Sequence, residues 1–157
     1  MSENIRIEFI DNDKKLYEEM KNNIYRLVNQ IRKENGLQQL CLNHNLEKIS
    51  QIYSESKFTC MKMSHLGCSL FQKNKKNLIE IVKDVNYNWN RLGENIAFGY
   101  KTPEEVFKAW LENSGHRKNI LNPNFKDIGI GIQGQGDKNI YWVQIFGSQK
   151  EITPTNI

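Results

Sequence analysis

The sequence has little cysteine and no long apolar run. Only three cysteines, Cys41, Cys60 and Cys68, occur among 157 residues, and this odd number argues against a complete disulfide framework. Cys60 and Cys68 can close a small loop in an oxidising compartment, or all three can be reduced, partly buried thiols. No apolar stretch approaches the roughly 18 residues of a transmembrane helix, so we expect no membrane span.

Charge and the first residues exclude further classes. The start, MSENIRIEFIDND, has no apolar core and is acidic where a signal peptide is basic. We therefore expect either a cytosolic protein or a chain in which Met1 replaces a leader. The net charge of +4 predicts a solvated surface, with a weak preference for anionic surfaces as the alternative. No basic stretch is interleaved with aromatics, so we expect no nucleic-acid partner.

The length and composition predict one folded domain. Hydrophobic residues make up 38% and charged residues 25% of the chain, which is neither disordered nor membrane-like. A chain of 157 residues is long enough to bury a real core. We find no internal repeat and no linker.

Apolar spacing predicts helices in the first half. Residues 1–13 are polar, and alternating apolar positions predict a short edge strand there. Residues 14–35 carry an apolar stripe at three- and four-residue steps, which predicts a first long helix. Asn35-Gly36 is a helix stop. Asn43 is a cap for a second helix, which runs to about residue 58.

The second half predicts a further helix and a hairpin. Thr102 is a helix cap, and Glu105 completes a Ser/Thr-x-x-Glu box, which assigns Glu105 a structural role. This helix ends near Trp110, which we expect in the core. Residues 128–132 and 140–146 are predicted to form paired strands that are apolar on both faces, as in a sheet covered by helices on both sides.

The polar residues that suggest a site lie between these elements. Gly93-Glu94-Asn95-Ile96 and Ser114-Gly115-His116-Arg117 place a carboxylate and an imidazole 22 residues apart. We expect Asn95 and Ser114 to organise turns beside the site, and Arg117 to form a surface salt bridge or contact an anion. Ser114 lacks a Gly-x-Ser-x-Gly elbow and is too near His116 to pair with it as a nucleophile.

These motifs carry a resemblance. GENIAFGYKTPEEVFKAWLENSGHRKNILNPNFKDIGIGI, followed by YWVQIFG at residues 141–147, resembles the CAP superfamily of cysteine-rich secretory, antigen 5 and pathogenesis-related proteins. The motif GHRxNIL is similar to its bacterial-type branch. The resemblance implies an α+β fold, a three-layer α-β-α sandwich. It places the domain at residues 14–149, between an N-terminal arm at 1–13 and a tail at 150–157.

The resemblance also implies a site. Family members place two histidines and two glutamates in one cleft, which here corresponds to His65, Glu94 and His116. The second glutamate is replaced by Asn113, beside Glu112, whose side chain would project about 100° away on a helix. Two imidazoles and a carboxylate suit Zn²⁺ with an open position for water, or a metal-free acid–base cluster.

A different zinc site is an alternative. Cys41-x-x-His44 and His65-x-x-Cys68 resemble the halves of a zinc knuckle. Against this, Cys41 and His44 straddle a predicted helix start, and an exposed surface position is the simpler interpretation of His44. Mutation of Cys41 would abolish zinc binding only in the knuckle.

The resemblance implies a binding or interaction module with a sterol, fatty acid, peptide or cell-wall fragment as ligand. It also implies a secreted protein, with a cytoplasmic location as the alternative, and we expect a monomer. The competing hypothesis is a metal-assisted, peptidase-like hydrolase with Glu94 as general base and His65 and His116 as ligands. A scaffold with a vestigial site is the third. We favour binding because the ligand set is depleted, and we assign no catalytic residue beyond the candidates His65, Glu94 and His116.

Overall fold

A computed structural model describes residues 3–60 and 78–151, and these form a mixed sheet between two helical layers. The helices are α1 (Glu3–Glu34), α2 (His44–Cys60), α3 (Leu78–Lys83), α4 (Pro103–Glu112) and α5 (Ser114–Ile120). The strands are β1 (Cys41–Leu42), β2 (Trp89–Phe98), β3 (Asp127–Gln135) and β4 (Lys138–Gln149). The described strands lie in the order β1-β3-β4-β2. The predicted three-layer α-β-α sandwich is confirmed.

The first helix is longer than predicted. It begins at Glu3, so the edge strand predicted within residues 1–13 is wrong. Apolar Ile5 and Phe9 are four apart as well as alternating, and this spacing also suits a helix that continues into the next turns. The helix is anchored on the β3–β4 hairpin, because the Tyr17 hydroxyl donates to the Gly136 carbonyl over 3.0 Å. The division into arm, domain and tail stays a prediction.

The predicted helix ends are confirmed by their hydrogen bonds. Gly36 follows α1 with a φ of 70°, a left-handed conformation that favours glycine. The Asn43 side chain accepts from the third amide beyond it, at 3.1 Å. Thr102 Oγ1 accepts from the Glu105 amide at 3.2 Å, while the Glu105 carboxylate accepts from the Lys101 amide. Glu105 therefore has the structural role that the capping box predicted.

Two elements of the second half were missed by the sequence patterns. The Gly93-Glu94-Asn95 motif lies within strand β2, which pairs antiparallel with β4 along its whole length. The residues after Asn113 form the separate short helix α5. Asn95 therefore occupies a strand position and not the turn that we predicted. The motif residues are held in regular structure on two neighbouring elements.

The sheet separates two hydrophobic clusters. On one face, α1, α4 and α5 cover the inward side chains of β3 and β4, among them Ile128, Ile130 and Trp142. On the other face, Leu46, Ile49 and Tyr53 of α2 pack with Ile96, Val143 and Ile145. Both faces of the central strands are thus apolar, as predicted.

Glycines let α2 approach the sheet closely. A Cβ on Gly129 would lie closer than 3.0 Å to backbone atoms of Leu46 and Glu47, and one on Gly131 would do the same at Ser50 and Gln51. Real Cβ atoms essentially never come so near to backbone. The Ile-Gly-Ile-Gly-Ile run of β3 therefore provides isoleucines to one face and a bare backbone to the other.

Candidate functional site

The position expected for a second glutamate is used as a helix cap. Asn113 ends α4 and begins α5, with φ −97° and ψ 122°, and its side chain accepts from the His116 amide at 3.1 Å. Because Asn113 is not helical, the expected angle between it and Glu112 does not apply. Asn113 lines the same cavity as His116, whereas Glu112 lines a separate depression with Ser114 and Arg117. Of the two residues, Asn113 and not Glu112 therefore lies beside His116 at this cavity.

Glu94 points from β2 towards the α2 layer. Alternation along the strand puts it on the face of Ile96, which packs with α2. Burial raises the pKa of Tyr53 on α2, and the Glu94 carboxylate raises it further. The phenol is therefore protonated at neutral pH. The Lys57 ammonium lies 4.5 Å from the centre of the Tyr53 ring, although Lys57 is only 2% exposed. A buried cation, a phenol and a carboxylate thus share this side of the sheet.

Two asparagines tie the backbone at Glu94 to the backbone at His116. The Asn119 amide donates to the Glu94 carbonyl at 3.2 Å and to Asn95 Oδ1 at 2.9 Å. The Asn95 amide donates to the His116 carbonyl at 3.1 Å and to Gln144 Oε1 at 3.1 Å. Asn95 and Gln144 are fully buried and directly opposite one another in the sheet. The network therefore positions α5 and its imidazole against β2.

We expect Asn119→Asp to destabilise the protein by about 2 kcal/mol, the typical cost of an unsatisfied buried polar group. The substitution keeps the side-chain shape but puts an oxygen against the Glu94 carbonyl and Asn95 Oδ1, where the amide now donates. Urea unfolding monitored by circular dichroism measures the change. Exposed Asn22 on α1 is the control, since Asn22→Asp leaves all these contacts in place. Equal midpoints for the two variants would contradict the role of this network.

A cavity of about 370 Å³ lies along the outer edge of β2, between that strand and helices α4 and α5. Its polar lining is His116 and Asn113, and its apolar lining includes Phe98, Tyr100 and Trp110. Phe98 and Tyr100 are 41% and 37% exposed. His116, Asn113 and the exposed ring of Tyr100 give this cleft an amphipathic lining. The Phe98 ring instead packs on the α2 face of the sheet, with its centre 4.5 Å from that of Tyr141.

Trp110 has the structural role that we predicted for it. Its side chain is 1% exposed, and its indole N–H donates to the Ile96 carbonyl at 3.3 Å. This carbonyl belongs to an edge strand, where outward-facing backbone groups need partners. Together with Asn119 on the Glu94 carbonyl, Trp110 seals the edge of the sheet on which the cleft is built.

The predicted metal ligands are only partly described. His65 and Cys68 lie outside the described residues, so the structure places two of the three predicted ligands, Glu94 and His116, on neighbouring elements. Within 3–60 and 78–151, no group of three or more His, Cys, Asp or Glu side chains is arranged to hold a metal ion. Two protein donors fall short of the three that a catalytic zinc requires, so a fit depends on His65.

The structure describes only some of the residues of the zinc-knuckle alternative and of the predicted disulfide. Both therefore stay predictions. Cys41 is an exposed free thiol in β1, and His44 is exposed at the first position of α2. Cys60 ends α2, but its pairing with Cys68 falls outside the described residues. The exposed position of His44 agrees with the interpretation of it as a surface residue.

Sequence reasoning missed three polar contributors to this region. Asn119 belongs to the His-Arg-Lys-Asn motif, and its spacing of three from His116 places both on nearby faces of a helix. Gln144 is the polar residue in the apolar run YWVQIFG, and a buried amide in a central strand needs partners. Lys57 gave no such signal, since a lysine at the end of a helix is usually exposed.

The fold and the cleft define a single-domain α-β-α sandwich with a carboxylate and an imidazole beside its edge strand. Residues 25–146 match the sequence model of CAP, the cysteine-rich secretory protein family. The chain therefore belongs to this family. No helix in the described part of the chain is long and apolar enough to cross a membrane.

Relatives and solved structures agree with the bacterial-type branch. The chain is 36% identical over 123 residues to the protein YkwD of Bacillus subtilis, a match that covers 78% of this chain and 45% of the relative. An extracellular protein containing an SCP domain from Bacillus anthracis is 26% identical, with a TM-score of 0.74, over 85% of this chain and 41% of that one. An outer surface protein from Borrelia burgdorferi shares the fold at 21% identity, with a TM-score of 0.71 over 88% of this chain and 94% of that one.

The coverage is unequal. The chain spans 45% and 33% of the length of the two Bacillus subtilis relatives that it matches, YkwD and the membrane protein YlbC. What is shared with them is therefore the CAP domain and not the whole protein.

Proposed function

We propose that this CAP domain is a binding module whose ligand enters the cleft along the outer edge of β2. The observation that supports it is the amphipathic lining, in which Tyr100 exposes aromatic surface beside the polar His116 and Asn113. Binding sites typically combine apolar walls with a few polar groups that fix orientation. The polar groups are held in place by the asparagine network, so little ordering is needed when a ligand binds.

The ligand is one that carries an apolar or aromatic group and a hydrogen-bonding group within one short segment. A peptide, a fatty acid, a sterol or a cell-wall fragment has this combination. We place the protein outside the cytoplasm, in keeping with the relatives named as extracellular and outer surface proteins.

The cleft can be tested with sodium palmitate and with N-acetyl-tryptophanamide. We expect at least one probe to shift the backbone amide signals of Phe98, Tyr100 and His116 in nuclear magnetic resonance titrations. Tyr100→Ser should weaken that binding about fivefold, since burying an aromatic surface contributes roughly 1 kcal/mol or more. Tyr25→Ser on α1, which does not line the cleft, is the control for nonspecific loss. If neither probe shifts these three amide signals, the proposal that the cleft binds an amphipathic ligand is wrong.

We also propose that a divalent cation binds through His65, Glu94 and His116. A carboxylate and imidazoles are ligands that zinc accepts, and the position held by Asn113 supplies no fourth charge. The cation would be held loosely for this reason. No observation on the described residues favours hydrolysis over binding at this site, so we propose binding alone.

Calorimetric titration of Zn²⁺ tests the cation site. We expect wild-type protein to bind one ion, and both His65→Ala and His116→Ala to weaken binding at least tenfold, because each removes one of three donors. His44→Ala is the matched control, since His44 is an exposed imidazole on α2. Wild-type protein without measurable binding would remove the cation from the proposal. Loss in His44→Ala as well as in Cys41→Ala would favour the zinc knuckle instead.

A further inference from the structure

A second cavity, of about 550 Å³, lies at the opposite end of β2, where the chain leaves α3 and enters the sheet. Its described lining consists of three asparagines, two lysines and two aromatic residues: Asn86, Asn88, Asn90, Lys83, Lys150, Tyr87 and Trp89. It shares no residue with the cleft near His116. Five of these seven lining residues are therefore polar or basic.

The loop that forms this cavity is held in place on β4. The Lys150 amide donates to the Asn88 carbonyl at 2.8 Å, and the Ser148 hydroxyl donates to Asn90 Oδ1 at 2.6 Å. The Tyr87 hydroxyl donates to an Asp127 carboxylate oxygen at 2.7 Å. Loops that are ordered before a ligand arrives lose less conformational freedom on binding. The backbone that carries the asparagines is therefore held in place before a ligand arrives.

The backbone of the loop is specialised as well. Asn86 has a φ of 58°, a left-handed conformation that only glycine and asparagine adopt readily. It turns the chain directly after α3, so that Asn86 and Asn88 both line the cavity. The turn itself requires only Asn86. Asn88 and Asn90, at the next alternate positions, are not needed for the turn.

Four of the side chains that line the cavity have no polar partner in the described part of the protein. Within the described ranges, the side-chain amides of Asn86 and Asn88 form no hydrogen bond, and the ammonium groups of Lys83 and Lys150 form no ion pair. Both lysines are exposed. The described lining contains no carboxylate. Asp84 and Glu151 directly follow the two lysines in sequence, but neither belongs to the lining. The cavity thus offers positive charge and free amides.

These groups together match one class of ligand. An amide carries a donor and an acceptor side by side, which suits neighbouring hydroxyls of a sugar ring. An indole presents an apolar face with a polar edge, and Trp89 is half-buried at the cavity. Two ammonium groups attract an anion. We propose that this cavity binds a saccharide that carries a carboxylate.

A matched pair of probes tests the saccharide and the carboxylate separately. Methyl β-D-glucuronoside and methyl β-D-glucoside have the same sugar ring. They differ only at C6, which is a carboxylate in the first and a hydroxymethyl group in the second. In titrations followed by nuclear magnetic resonance, we expect the glucuronoside to shift the amides of Asn86, Asn88 and Trp89. We expect the glucoside to bind at the same place about tenfold more weakly, as for the loss of attraction to two exposed charges.

Two variants decide whether the lysines and the amides recognise the ligand. In the double variant Lys83→Gln and Lys150→Gln, the affinity for the glucuronoside should fall to that for the glucoside. Asn88→Ala should weaken both about fivefold, because it removes a pair of hydrogen bonds to the ring. Lys101→Gln, an exposed lysine outside this cavity, is the control. Circular dichroism spectra and melting temperatures equal to those of wild type show that the variants are folded.

Several results would overturn the proposal. If neither probe shifts the loop amides, no saccharide binds here. If Lys101→Gln weakens glucuronoside binding as much as the double variant does, the attraction is a general effect of net charge. If inorganic phosphate displaces the glucuronoside at equal concentration and the glucoside does not bind, the cavity is an anion site without saccharide recognition.

Discussion

We expect Gly131→Ala to lower the free energy of unfolding by about 3 kcal/mol, the upper end of the usual cost of overpacking. The new Cβ would lie closer than 3.0 Å to the Ser50 backbone, which is part of helix α2 and cannot rotate away like a side chain. Helix α2 must therefore move off the sheet or β3 must buckle. For a chain of this size, the melting temperature would fall by roughly 6–12 °C, which calorimetry measures.

Gly129→Ala should have an effect of similar size, because its Cβ would meet the backbone of Leu46 and Glu47. Gly115→Ala is the control. A Cβ on Gly115 has an ordinary contact of 3.4 Å with Asn113 Oδ1, and alanine favours a helix by up to about 1 kcal/mol over glycine. We expect Gly115→Ala to leave the melting temperature unchanged or to raise it. Equal melting temperatures for Gly131→Ala and wild type would show that α2 does not need this close contact.

Arg32→Met should destabilise the protein by about 4 kcal/mol, since each buried acceptor left without a donor costs roughly 1–3 kcal/mol. Arg32 has no exposed surface. Its guanidinium donates to the Gln38 carbonyl at 2.8 Å, to the Ile120 and Asn122 carbonyls at 2.9 Å each, and to the Phe125 carbonyl at 3.4 Å. These bonds join the end of α1 to the end of α5 and the start of β3.

The charge of Arg32 is balanced by peptide dipoles. Burial lowers the pKa of Arg32, but an arginine remains protonated at neutral pH. Ile120 is the last residue of α5, so its carbonyl lies at the negative end of the helix dipole. Arg32→Lys should therefore recover part of the stability, because an ammonium keeps the charge but cannot reach four carbonyls in the fixed geometry of the guanidinium.

Arg26→Met is the matched control, since Arg26 is an exposed arginine on the same helix with one contact, to Asn23 at 3.1 Å. We expect it to change the free energy of unfolding by less than about 0.5 kcal/mol. Chemical unfolding should rank the variants with Arg32→Met as the least stable, Arg32→Lys next and Arg26→Met near wild type. If Arg32→Met and Arg26→Met unfold at the same denaturant concentration, the hydrogen bonds of Arg32 do not stabilise the fold.

Helix ends and the hairpin were predictable because their signals are local. The Asn43 and Thr102 caps form hydrogen bonds to amides three residues away, and Gly36 needs only its own φ. Strand β2 was missed because its middle, Gly93-Glu94-Asn95, interrupts the apolar pattern that marks a buried strand. Its polar residues are satisfied by partners on α5 and β4 that are far away in sequence.

The sequence by itself determined the family and the sandwich, because its motifs occur in a specific order and helix stripes follow from spacing along the chain. It also determined that Glu94 and His116 were candidates for one site. Only the tertiary structure decided that Asn113 caps α5 beside His116, that Arg32 is buried, and that Asn95 and Asn119 join Glu94 to His116. These contacts join residues as far apart as Arg32 and Phe125. Their geometry follows from how helices and sheet pack together, which no local pattern encodes.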